Sequence, residues 1–84
     1  MPHQHRHDDV NWKEMSIEDI LELAIADEED AQEYYRHAAM LAGGIHTRKM
    51  LLNLSEMERG HAEQLRKELE ELHLQREEDT GIAD

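Results

Sequence analysis

The chain has no cysteine and no phenylalanine, one tryptophan, two tyrosines and a single proline, at position 2. Without thiols there is no disulfide to staple the fold and no thiolate site for zinc or an iron–sulfur cluster. With so few aromatics, 84 residues offer little apolar core, and one small domain is the most they build. Basic residues are scarce too: nine against 21 acidic, for a formal net charge of −12. That balance repels nucleic-acid phosphates and attracts cations. No apolar run approaches the ~20 residues that span a bilayer. The start of the chain is polar and His-rich, unlike a secretory signal peptide. The expectation is a cytoplasmic protein that binds neither nucleic acid nor membrane, and whose small size favours self-association.

What remains is helical vocabulary. Residues 1–15 read as a flexible tail carrying His3, His5 and His7, followed by Asp8 and Asp9. Such a tail is an ordinary polar terminus or an extra metal-binding arm. Ser16 with Asp19 three residues on resembles a capping box, and no Gly or Pro follows until Gly43. Ile17, Leu21, Ala24, Ala31, Tyr35, Ala38 and Ala42 recur at helical spacing. Gly43-Gly44 are expected to end this helix in the left-handed conformation that glycine tolerates. A second helix is expected from about Ile45–Thr47, with a stripe of Leu51, Leu54, Leu65, Leu69 and Leu72. It should fade after Arg76, leaving 77–84 as a second tail. Residues 16–76 thus read as an antiparallel helical hairpin. Each helix has one apolar face that a hairpin covers poorly alone, and two hairpins docked as a four-helix bundle cover both. The second helix is the longer, and its overhang, with Leu69, Leu72 and Leu74, is available for contacts between dimers.

Charged residues interrupt both stripes at core-facing positions. Glu28 fills the gap between Ala24 and Ala31, and Glu58 with His61 fills the gap between Leu54 and Leu65. An unpaired carboxylate there is costly, and a cation would neutralise it. Glu28 lies 15 residues before Gly43 and Glu58 lies 15 after it, so both sit about 22 Å from the turn. The hairpin brings them level, and a two-fold axis at that height would gather four carboxylates and two imidazoles, a set that suits two iron ions. An isolated Glu-x-x-His is more often a solvated face; its place in the stripe and the matching height of Glu28 set this one apart. Tyr35, two turns beyond Glu28 on the same face, could orient a ligand carboxylate or simply fill the core. Glu56, Glu63, Glu68, Glu70 and Glu71 fall off the stripe and read as solvated.

AIADEEDAQEYYRHAAMLA and LSEMERGHAEQL resemble the two helices of the rubrerythrin-like branch of the ferritin-like superfamily, over about residues 17–73. The architecture is most similar to the two-helix encapsulated ferritins, which assemble their ferroxidase centre across a dimer interface. The resemblance implies oxidation of Fe(II) by oxygen at a di-iron centre, two irons per dimer, held by Glu28, Glu58 and His61 of both chains with Tyr35 beside them, for iron storage or detoxification. It also implies an acidic metal-entry site at Asp27 and Asp30, shorter here than the expected glutamates. Tyr34 stands where the family usually has tryptophan. An obligate homodimer, rings of dimers such as a decamer, and residence inside an encapsulin shell are further implications, although the closing TGIAD does not resemble the Gly- and Leu-containing shell-docking peptide. Two alternatives stand beside ferroxidase activity. One is a rubrerythrin-like peroxide reductase, which without cysteine needs a separate electron donor. The other is a non-enzymatic helical interaction module whose buried polar residues set dimer register.

Overall fold

The computed structural model describes residues 11–83, with side chains through Arg76. The histidines of the proposed N-terminal arm lie outside the described residues. The chain is an antiparallel hairpin of two helices packed on each other, α1 (Ile17–Leu41) and α2 (Ile45–Ala83), preceded by a 3₁₀ turn at Trp12–Glu14. Among the described residues there is no strand. No described helix is long and apolar enough to cross a membrane.

The start of α1 follows from its local chemistry. Ser16 Oγ accepts from the Asp19 backbone N–H at 3.0 Å, and the Asp19 carboxylate accepts from the Ser16 N–H at 3.4 Å. This reciprocal capping box satisfies donors that the first turn leaves without helical partners. The end of α1 differs from expectation. No described residue, glycine included, has a positive φ. Ala42 instead leaves the helix in an extended conformation, φ −69° and ψ 132°, with its N–H donating to the Ala39 carbonyl. The Arg48 guanidinium reaches back from α2 to the Ala42 carbonyl at 3.2 Å. Arginine thus gives the C-cap carbonyl a partner from the next helix.

The other terminus differs as well. α2 runs on to Ala83, through the segment expected to be a tail. The Glu77–Thr80 stretch contains no proline, and a single Gly81 costs only about 1 kcal/mol. A formed helix propagates through such residues. At 39 residues against 25, α2 is 14 longer than α1, or about 21 Å.

Small residues make the contact between the helices. Among the described residues Ala31, Ala39 and Ala62 are the buried apolar ones, joined by Ser55. Ser55 Oγ donates to the Gln32 carbonyl across the interface at 3.0 Å, so its buried hydroxyl costs nothing. Leu21, Ala24, Tyr35, Ala38, Leu51, Leu54, Leu65, Leu69 and Leu72 are half-buried around this line, whereas Ile17, expected in the stripe, is exposed. Ion pairs tie the helices at Glu29–Arg66 and Glu18–Arg76. The second holds the first turn of α1 against the distal part of α2. The Glu18 carboxyl is held below the usual range, first by its backbone hydrogen bond and then by Arg76. The result is a plate one helix thick, with Cα extents of 61 × 26 × 11 Å.

Candidate metal centre

Midway along the plate the interface turns polar. Glu28 sits on the α2-facing side of α1, three residues before buried Ala31. Glu58 and His61 sit one turn apart on α2, flanking Ala62 with the half-buried Leu54 and Leu65. The antiparallel pairing brings all three together. His61 Nδ1 is 3.3 Å from a Glu28 oxygen and 3.3 Å from a Glu58 oxygen. One ligand-capable atom from each residue lies within 4.8 Å of the others, the arrangement that a shared cation requires.

The electrostatics single out Glu28. Burial raises its pKa from 4.5 to about 7, reinforced by the Glu58 carboxyl beside it and opposed by His61. Its Oε2 is buried and has no hydrogen-bond partner of regular geometry, with His61 Nδ1 at 3.3 Å. A carboxylate with an unmet lone pair, a second carboxylate beside it and an imidazole one turn away form a hard-oxygen and nitrogen donor set. That set fits iron, which accepts mixed ligation of this kind. One side stays open: His61 is more than half exposed. A groove of about 660 Å³ beside it is lined by Glu28, His61, Gln64, Leu65, Lys67 and Glu68.

The other sequence candidates stand apart from this group. Asp27 and Asp30 flank Glu28 on α1 but do not join the three-residue cluster, the one such group among the described residues. Tyr35 is half-buried, and its ring meets that of Tyr34 edge-on at a centroid distance of 5.5 Å. Glu68 is exposed, as read from sequence, and it also lines the groove. Its position on the groove follows from spacing, because Leu54, His61 and Glu68 are seven residues apart and so share one side of the helix.

A helical hairpin that presents a Glu beside a Glu-x-x-His has the half-unit from which ferritin-like di-iron sites are built. The rubrerythrin family model matches residues 19–82, and the chain belongs to that family, whose members typically bind iron. No curated protein and no solved structure matches the chain.

Proposed function

We propose that two copies of this chain join to form a ferroxidase. Each contributes Glu28, Glu58 and His61, and together they hold two ferrous ions for oxidation by oxygen. The observation that carries the reading is the buried Glu28 oxygen that has no hydrogen-bond partner of regular geometry while facing a second carboxylate and an imidazole. Within one chain this group has too few ligands for two metal ions, and its open side faces solvent. A second copy related by a two-fold axis doubles the ligands to four carboxylates and two imidazoles. Two ferrous ions held side by side can pass two electrons to one oxygen molecule. The role of the chain is to hold the ions. Glu28 and Glu58 supply oxygen ligands, His61 supplies nitrogen, and Glu28 gives up its proton as the cation arrives. The excess of acidic residues raises the local Fe(II) concentration.

The test pairs oxygen uptake with metal content. Glu58→Ala and His61→Ala are each expected to lower iron-dependent oxygen uptake by at least 100-fold. Native mass spectrometry of the wild-type protein should show two irons per two chains, lost in His61→Ala. Wild-type rates in either variant, or a monomer that keeps two irons, would refute the assignment. Supplying hydrogen peroxide to anaerobic Fe(II)-loaded protein distinguishes oxygen from peroxide as the oxidant.

A further inference from the structure

The turn end of the hairpin differs in charge from the rest of the chain. From Tyr34 to Ser55 there is no acidic residue, although the chain has 21, and the stretch carries Arg36, Arg48 and Lys49 together with His37 and His46. These five side chains are exposed. The same end is apolar at its extremity. Leu41, the last residue of α1, is 87 % exposed; Met40 before it is 75 % exposed, and Ile45, the first residue of α2, is 69 % exposed. No other large hydrophobic among the described residues is as exposed as these three. Between them run Ala42, Gly43 and Gly44. Neither glycine has a positive φ, and a Cβ on either would meet nothing within 4 Å. Glycine here leaves the backbone bare, so that Leu41 and Ile45 stand out from it.

Magnitudes decide whether a chain of net charge −12 can present this end to an anionic surface. The nearest acid on α1 is Glu33, eight residues before Leu41 or about 12 Å along the helix. It is already paired with Arg36 at 3.2 Å. The nearest acid on α2 is Glu56, eleven residues after Ile45 or about 16 Å. The screening length at physiological salt is about 8 Å. The potential at the tip is therefore set by Arg48 and Lys49, one turn behind Ile45, rather than by the acidic remainder. Arg48 keeps its charge while donating to the Ala42 carbonyl.

We propose that the turn end docks on an anionic lipid membrane, with Met40, Leu41 and Ile45 entering the headgroup layer and Arg48 and Lys49 facing the lipid phosphates. Shape and chemistry both select this occupant. The tip is the convex end of a plate whose shorter Cα extents are 26 and 11 Å. A convex apolar end buries itself in a surface that yields, whereas an acidic peptide needs a groove or a strand edge to lie in. Basic residues behind exposed aliphatic ones suit an anchor that lies on a bilayer without spanning it. The acidic remainder sets the orientation, because the same lipids repel the flanks and the overhang, and the hairpin stands tip-first. The inference does not depend on the metal centre, which lies about 22 Å behind the turn.

Co-sedimentation with vesicles tests it. The full chain is expected to bind vesicles of phosphatidylglycerol mixed equally with phosphatidylcholine at least tenfold more tightly than phosphatidylcholine alone. Lys49→Gln should weaken that binding about fivefold, and Leu41→Ser/Ile45→Ser at least tenfold, with circular dichroism and native mass unchanged. Tryptophan emission reports the orientation. In Trp12→Phe/Leu41→Trp the emission should move to shorter wavelength on the anionic vesicles, while Trp12 of the wild-type chain, at the opposite end of α1, keeps its emission. Equal binding to both kinds of vesicle, full binding by Leu41→Ser/Ile45→Ser, or a blue shift of Trp12 would overturn the proposal. So would an altered native mass of that variant without vesicles, which would make the tip a contact between copies. Wild-type binding to polyglutamate but not to vesicles would overturn it in favour of an acidic peptide.

Discussion

Two sides of α2 meet very different surroundings. Toward α1, Ala62 and Ser55 are buried, 1 % and 7 % exposed, against Ala31, Ala39 and the Gln32 carbonyl. More than a third of a turn away, Met50 and Met57 are half exposed, on the side of α2 where His61 borders an open groove. The first side has small residues, near-complete burial and a satisfied hydroxyl. The second has large flexible side chains and solvent. Glu58 and His61 lie on the border, one more buried than the other. The comparison teaches that the hairpin spends its close packing on holding two helices together. What it leaves uncovered is the side on which the polar cluster opens.

That contrast can be broken most sharply on the closed side. Ala62→Leu forces three extra carbons into the tightest part of the contact, and overpacking of this kind costs about 1–3 kcal/mol. Loss of helical signal at lower urea is the expected outcome, whereas Met57→Leu, on the open side, should leave the urea midpoint of the metal-free chain almost unchanged. Equal effects at the two positions would erase the distinction.

The border responds to pH. Because the folded pKa of Glu28 lies near 7, above its ordinary value of 4.5, the folded chain binds this proton more tightly than the unfolded chain. Metal-free stability should therefore fall as pH rises from about 4.5 to about 7. Glu18 and Glu56 are shifted downward, so their contributions change below about 4.5, outside that window. Urea midpoints at pH 5 and pH 8 should differ in wild type and converge in Glu28→Gln. An unchanged difference in the variant would place the pH dependence elsewhere.

The smallest effect belongs to Gly60, between the two α2 ligands. A Cβ built there meets nothing within 4 Å, so Gly60→Ala should stabilise the metal-free helix by up to about 1 kcal/mol. A loss instead, visible as a lower melting temperature, would mean that something approaches the backbone at this point.

The gaps in the two apolar stripes were enough to read Glu28, Glu58 and His61 as neighbours, because periodicity and height above the turn are both carried by residue numbers. The hairpin was legible for the same reason, as was the start of α1, where Ser16 and Asp19 state their role locally. Other features depend on geometry that spacing does not carry. Ala39 and Ala62 are among the most buried residues, yet alanine marks a core weakly in sequence because it also fills exposed helix positions. The glycine pair suggested a left-handed cap, but the chain leaves the helix through an extended Ala42 whose carbonyl accepts from Arg48. Glu68 is exposed, as read, but its place on the groove wall follows the line of His61, whereas the stripe was followed through Leu69.

The thinness of the plate bears on what becomes of oxidised iron. With a shortest Cα extent of 11 Å, the described residues enclose no volume in which ferric hydroxide could accumulate. Under the ferroxidase reading the chain is a converter rather than a vault. Each ferric ion must be handed onward, and any deposit has to nucleate in a space bounded by many molecules.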